Sequence, residues 1–526
     1  MKNKGISLIV LVITIIVMII LAAAIIISLN NTGIIGNANK AVRDTDNKQI
    51  REAIEVAKLN LNFEGSLSES TLKSELQKSL GEDVEVVKNE DNSYTIKVKD
   101  MEYTLEDDES IRQYDVWDKT STDPTNGDSK EIHIYKASEL KWLSEQVAAG
   151  RDFEGYTVYL ENDLDFRARE SEGDTIEAKW KTDSNKEYKW TPIGNEKEKP
   201  LKADFDGKNH IIKGIYVEET TKFNGIIGCS YGTVKNLTVK NSYVEGINYT
   251  GGIAGAVPGE KIENCHNINT TVVLSDGDNY MVGGIVSTCK NANNCTNTGN
   301  VIAYGKYTDG NLSRAGGIAG VITGEKIQNC INKGTVKAEG NTIGGIVGYT
   351  SKTVENCTNY GEVICNGKDT NERSLCGGIV GAMVKTAVVT NCANYGNVSS
   401  VASYTGGITG LMAIQNDESS NKLEYCFNAG NIKGVNFVGG MAGGNGSSQD
   451  TLRYCYNKGT ITATGSQYVG SIIGYNNSGT VQHLYYLSGL QYKAVRNTDY
   501  EDKNVTSTTK NINSFGEFKT WIAKFN

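Results

Sequence analysis

The sequence predicts a mainly β chain whose bulk is a parallel β-solenoid, a right-handed β-helix, preceded by a transmembrane helix and a small α+β unit. Three observations carry this. A glycine-pair phrase recurs from Gly251 onward: GGIAG at Gly251, GGIVS at Gly283, GGIAG at Gly316, GGIVG at Gly344, GGIVG at Gly377, GGITG at Gly406 and GGMAG at Gly439, with degenerate copies at Asn224 and Gly470. A cysteine phrase follows it seven times, from CHNIN at Cys265 through CTNTG, CINKG, CTNYG, CANYG and CFNAG to CYNKG at Cys455. The second glycine of each pair falls at 252, 284, 317, 345, 378, 407 and 440, a loose period of roughly thirty, which marks stacked repeats with variable loops.

Within each repeat the apolar runs are short, rich in Ile and Val, and bounded by Gly and Asn, which reads as short strands and turns. The chain holds only four prolines, so strand ladders run uninterrupted. One repeat cannot bury its own apolar face, so equivalent positions must stack on one another. Ile253, Ile285, Ile318, Ile346, Ile379, Ile408 and Met441 are expected to form one inner ladder, and Cys265, Cys295, Cys330, Cys357, Cys392, Cys426 and Cys455 another. The Asn two residues after each Cys, Asn267 through Asn457, is placed at the corner, where it tolerates a left-handed conformation and can hydrogen-bond the turn, with the following Gly serving the same bend.

The GGIxG and NCxNxG phrases resemble the GLUG-motif repeat family of bacterial surface proteins. The resemblance covers Phe223 to about Tyr486 and implies a β-solenoid displayed on the cell surface. The family motif carries no catalytic residues to transfer.

In chain order, Ile6 to Leu29 is an uncharged apolar run after Lys2 and Lys4. As a helix it spans about 36 Å, enough to cross a bilayer, and the flanking lysines place everything after Leu29 outside the cell. Lys4-Gly5 followed by Ile6-Ser7-Leu8-Ile9 resembles a type IV prepilin leader. That implies cleavage after Gly5, N-methylation of Ile6, and a prepilin peptidase and other pilin-like subunits as partners. Val10 stands at the fifth mature position, where pilins usually carry Glu, so a plain single-span anchor stays open beside filament assembly. Residues 30–112 follow as a pilin-like stalk helix and small α+β unit. Its first helix buries Ala41, Ile50, Ile54, Ala57 and Leu61; a second runs from Ser70 to Leu80 and ends at Gly81; strands follow at Val84–Val87, Tyr94–Val98 and Met101–Leu105.

Residues 113–130, polar with Pro124 and Gly127, form a linker. Residues 131–222 are the lead-in, with a helix from Ser138 to Ala149 capped by Ser138 and the phrases ENDLDF, WTPIG and FDGKNHIIKGIYV. By the same resemblance this segment caps the first coil, since a solenoid end exposes an unpaired edge. The repeats occupy 223–487, and 488–526, including Phe515 to Phe525, form the C-terminal cap.

The net charge of −9 argues against nucleic acid as a partner. No cofactor or metal is expected. His133, His210, His266 and His483 are scattered, Cys289 and Cys295 are irregularly spaced for zinc, and Asp276-Gly277-Asp278-Asn279, an oxygen-rich loop, has no repeated partner. Seven of the eleven cysteines share one repeat position and read as reduced core thiols; Cys229, Cys289, Cys365 and Cys376 lie outside it, and Cys365 could pair with Cys376. Asp276, Asp278, Asp309, Asp369, Asp417 and Asp450 sit in variable loops with no recurring pair, so no enzyme is expected. Tyr249, Tyr280, Tyr304, Tyr307, Tyr349, Tyr360, Tyr395 and Tyr404 suit either contact with sugars and proteins or ordinary strand packing. The reading is a membrane-anchored surface protein for adhesion or recognition, with a glycan or a host or neighbour-cell protein as ligand. A polysaccharide-acting β-helix enzyme and a structural spacer are the alternatives.

Overall fold

A computed structural model describes residues 34–525 except 64–66, 90–91, 100, 107–109, 126–128, 219–220, 276–279, 305–312, 340–341, 368–373, 402–403, 414–418, 466–467, 478, 490–491, 493–504 and 509. These residues form two compact units that divide between Tyr114 and Asp115.

The first unit packs helices Ile34–Phe63 and Glu69–Leu80 on an antiparallel sheet of four strands in sequential order, Val84–Lys88, Tyr94–Val98, Met101–Leu105 and Ile111–Arg112. Ile50, Ile54, Ala57 and Leu61 are buried on one helix face against Leu72, Leu76, Ile96 and Tyr103. Ser68 and Thr71 cap the second helix reciprocally, and Gly81 closes it at φ 67°. The expectation of a transmembrane helix leading into a pilin-like unit is corrected. Among the described residues no helix is long and apolar enough to cross a membrane. Helix content is small, and Ile34–Phe63 carries charge at Lys48, Arg51, Glu52 and Glu55 around the stripe it buries in its own sheet. The run Ile6–Leu29 and the Gly5–Ile6 junction lie outside the described residues.

The second unit is the parallel β-solenoid. Two of its sheets have nine strands each, running from Tyr216–Glu218 to Ile461–Ala463 and from Phe223–Asn224 to Val469–Gly470, and every neighbouring pair is one repeat apart. A third, larger sheet completes each coil. The isoleucine ladder forms as expected. Its members are fully buried, and Ile227, Ile253, Ile285, Ile318, Ile346, Ile379, Ile408 and Met441 each donate a backbone N–H to the next rung at 2.8–3.1 Å, ending on Ile472. The seven repeat cysteines are fully buried free thiols. Cys365 and Cys376 are also free.

The repeat asparagines hydrogen-bond the turn as expected, but the left-handed conformation falls on another residue. Asn297, Asn332, Asn359, Asn394, Asn428 and Asn457 are fully buried and point inward beside the cysteines. Each uses one amide hydrogen on the carbonyl two residues ahead, as Asn359 does on Gly361 O at 2.8 Å. The other bonds the next rung: Asn297 to Asn332 at 2.8 Å, Asn332 to Asn359 at 2.8 Å, Asn359 to Asn394 at 2.9 Å, Asn394 to Asn428 at 2.8 Å and Asn428 to Asn457 at 2.8 Å. The left-handed corner belongs instead to the residue before each cysteine, from Asn264 at φ 50° to Asn391 at φ 54°. The glycines serve close approach between rungs. A methyl group on Gly361 would overlap the Gly334 carbonyl, and one on Gly345 would overlap the Asn359 amide. CHNIN, which lacks the last glycine, closes its turn on Thr270 instead, through Asn267 Nδ2 to Thr270 O at 3.1 Å.

The lead-in is itself coiled. Glu131–Ile134 pairs in parallel with Thr157–Leu160, and that strand with Asp204–Asp206. Its helix is Ala137–Ala148, begun at Lys136 rather than Ser138 because Glu139 reaches back to the N–H groups of Tyr135 and Lys136, at 2.7 and 3.0 Å. Leu140, Leu143 and Val147 are buried in the same hydrophobic core as the solenoid rungs. Trp117, within the expected linker, is buried against Phe166 with ring centroids 5.4 Å apart. At the other end, helix Phe515–Ile522 lies along the side of the solenoid rather than over its end. Phe518 and Ile522 bury on Ala393, Phe427, Tyr456 and Tyr485, which occupy one position on four successive rungs.

Replacing Cys357 by Ala should lower stability by on the order of 1 kcal/mol in urea unfolding, the loss of one buried atom. Cys357→Asp should prevent folding, because its carboxylate would sit in a dry core with no counter-charge. Gly361→Ala should also be severe, since the Gly334 carbonyl cannot move without breaking the adjoining turn.

Candidate functional surface

The groups that could do chemistry do not converge. His133 bonds Glu161 at 2.6 Å, His210 bonds Asp163 at 3.0 Å, and burial lowers the pKa of His266. Among the described residues no three His, Cys, Asp or Glu side chains are placed to hold a metal ion. Asp276-Gly277-Asp278-Asn279, Asp309, Asp369 and Asp417 lie outside the described residues.

The densest ionisable cluster is one the sequence reading missed. Tyr216-Val217-Glu218 and Tyr243-Val244-Glu245 pair in register on adjacent rungs. Lys181 reaches Glu245 at 2.8 Å and Glu218 at 3.4 Å, and each tyrosine hydroxyl donates to the glutamate two residues on, at 2.9 and 2.6 Å. Trp180 stacks on Tyr243 at 5.7 Å. Burial and the adjoining carboxylates push both phenols far up. Burial works to lower Lys181, yet the two carboxylates hold it above the ordinary lysine value. Burial likewise works to raise Glu218, while Tyr216 and Lys181 hold it low. Lys181 and both phenols are therefore held protonated and Glu218 ionised at neutral pH, whereas a general acid or base needs a pKa near the working pH. The cluster pins the 168–190 insertion to the first repeat coils.

The structure sorts the tyrosines. Tyr280 is core, Tyr249 stacks on Phe223, Tyr349 lies under the Arg314 guanidinium at 4.5 Å, and Tyr307 lies outside the described residues. Tyr304 is exposed, and Tyr360, 52% exposed, stacks on Tyr395 at 5.0 Å.

The most unusual surface is at the C-terminal rungs. The left-handed corner before each cysteine, or before Leu237 and Leu484 that stand in its place on the first and last of these rungs, holds Asn at 236, 264, 294, 329, 356 and 391, the residue with a side chain that tolerates this conformation best. At the next three rungs it holds Tyr425 at φ 53°, Tyr454 at φ 52° and His483 at φ 48°. Their rings form a parallel stack with centroids 4.9 and 5.0 Å apart. A second corner repeats the pattern, with Phe437 at φ 49° and Tyr468 at φ 51°, stacked at 4.9 Å and continuing to Tyr404 at 4.3 Å. A bulky residue in this region costs on the order of 1–3 kcal/mol, and such strain concentrates at functional sites. Tyr425 and Tyr454 are half-buried and His483 is exposed, so the stack turns ring surface to solvent at its His483 end. Arg453, paired with Glu424 at 2.9 Å, gives the Tyr425–Tyr454 stack a polar flank.

Near the same rungs Asp450 is buried, accepting from Asn421 N at 2.7 Å, with Oδ2 and the neighbouring Ser419 hydroxyl unpaired. Burial pushes its carboxyl up to about 6.

No family model and no curated protein matches the chain. A solved structure described as a putative immunoglobulin A1 protease from Bacteroides ovatus is similar at 19% identity, over 67% of this chain and 84% of that one, with a TM-score of 0.33. A likeness of that size carries no argument about activity.

Because the native pKa of Asp450 lies above its unfolded value, the stability that its protonated form contributes is present at low pH and lost as pH rises through about 6. Asp450→Asn should therefore stabilise the protein by on the order of 2 kcal/mol at pH 8 and leave it unchanged or weaker at pH 4, read as urea midpoints at both pH values.

Proposed function

We propose that this chain is a recognition protein acting outside the cell, and that the aromatic corners of its C-terminal rungs bind a glycan or a protein of a host or neighbouring cell. The observation that carries the reading is the replacement of corner asparagines by Tyr425, Tyr454 and His483 in a conformation that disfavours them. Nothing in the rung hydrogen bonding requires rings there, because six earlier rungs close with Asn. The GLUG-type phrases support the same reading, since that resemblance implies surface display. Binding without catalysis is favoured by the way Lys181 is engaged by both Glu218 and Glu245, the cluster that comes nearest to an acid–base site.

The test separates fold from function. In the full chain, Tyr425→Asn, Tyr454→Asn and His483→Asn together restore the corner used elsewhere. The triple variant should melt no lower than the parent and lose at least about tenfold in affinity for any ligand found in a glycan and surface-protein screen, about 1.4 kcal/mol. Unchanged binding in that variant, or no ligand for the parent, contradicts the proposal.

A further inference from the structure

The column of seven thiols has a chemistry that packing alone does not use. Each Sγ donates to the carbonyl two residues before it, at 3.3 Å for Cys265 and Cys295 and 3.2 Å for Cys330, Cys357, Cys392, Cys426 and Cys455. The residues that follow the cysteines pair in register from rung to rung, His266 with Thr296, Thr296 with Ile331, Ile331 with Thr358, Thr358 with Ala393, Ala393 with Phe427 and Phe427 with Tyr456, so successive sulfurs stand one rung apart. Isoleucine, valine and leucine side chains surround them, including Ile327, Val354, Val389 and Leu423. A bare thiolate in such a core is prohibitive, and burial pushes Cys265, Cys330 and Cys392 well above the ordinary thiol pKa.

We propose that this column is a binding site for soft monovalent cations of the copper(I) and silver(I) class, one between each pair of successive sulfurs. Thiolate sulfur is the ligand that selects such ions. Two metal–sulfur bonds of about 2.3 Å, the zinc–thiolate length, set end to end span about 4.6 Å, close to the rung repeat of about 4.8 Å. Charge decides the valence. Each ion entering a gap displaces one thiol proton to solvent, so sulfur and metal alternate with no net charge added to the core. Seven sulfurs make six gaps. Six cations replace six protons, and the seventh sulfur remains a thiol. Zinc is excluded by number, because it takes four ligands and no three such groups converge among the described residues. Sulfur–metal bonds take the place of the weak thiol-to-carbonyl contacts, and the backbone ladders keep the rungs where they are.

The probe is silver nitrate in chloride-free buffer, added to reduced full-length protein refolding from urea, with excess ion removed afterwards. Native mass spectrometry should count six silver ions in the column, proton release should match the ions bound, a thiolate-to-silver ultraviolet band should grow in step, and the melting temperature should rise. Removing one interior sulfur abolishes two gaps, so Cys357→Ala should bind two fewer ions than the parent. Removing the terminal one abolishes a single gap, so Cys265→Ala, which also guards against a folding defect in the first variant, should bind one fewer. Equal losses in the two variants, no loss in either, or silver retained only by unfolded chain overturns the proposal.

Discussion

The buried asparagine amide is the constraint from which the repeat follows. A primary amide in a dry core must satisfy two hydrogens and an acceptor. In the interior repeats one hydrogen closes the local turn and the other reaches the amide oxygen of the next rung. This fixes register, because a slip of one residue would leave a whole column of amides unpaired. It also fixes the glycines. The second glycine of each GG pair faces the amide at a distance that admits no side chain, and the glycine after the asparagine lets successive turns touch. Isoleucine and cysteine fill the space that these contacts leave. GGIxG and NCxNxG are therefore two halves of one contact, which is why they recur together although the loops between them vary in length.

Much of this was legible in the sequence. Short Val/Ile runs with glycine punctuation at a near-thirty period leave little besides a solenoid, and the isoleucine and cysteine ladders lie where stacking puts them. The asparagine was misplaced because both Asn residues of N-C-x-N suit a left-handed turn. Parity resolves it: residues two apart on a strand share a face, so a buried Cys357 carries Asn359 inward and leaves Asn356 to make the corner. The same alignment holds the signal for the aromatic corner, since E-Y-C-F and R-Y-C-Y stand where earlier repeats read N-C. The Glu218–Glu245 pair is likewise written in the repeated phrase Y-V-E, outside the glycine motif. The lateral seat of the C-terminal helix was not legible, because it depends on Ala393, Phe427, Tyr456 and Tyr485 aligning across four rungs.

The account divides the solenoid by task. The early coils are tied down by ion pairs and a capping helix, and their charged groups neutralise one another. The middle coils repeat with little variation. The last coils depart from the pattern, with aromatic residues at strained corners and a helix seated on Phe427, Tyr456 and Tyr485, its first residue donating a backbone N–H to the Tyr395 hydroxyl at 2.8 Å. In a one-dimensional stack each rung leans only on its neighbours, so the strain of the last rungs is held by the regular ones before them. The amide column supplies that regularity.

The most direct test of this central role is the unfolding free energy of Asn359→Leu, which keeps the branching of the side chain and replaces the amide by two methyl groups. The variant strands one amide hydrogen of Asn332, the Asn394 amide oxygen and the Gly361 carbonyl inside the core. At about 1–3 kcal/mol for each buried unpaired group, the account predicts a loss of about 3 kcal/mol or more in urea unfolding. A variant as stable as the parent, or more stable, would show that apolar stacking alone sets the register and would contradict the account.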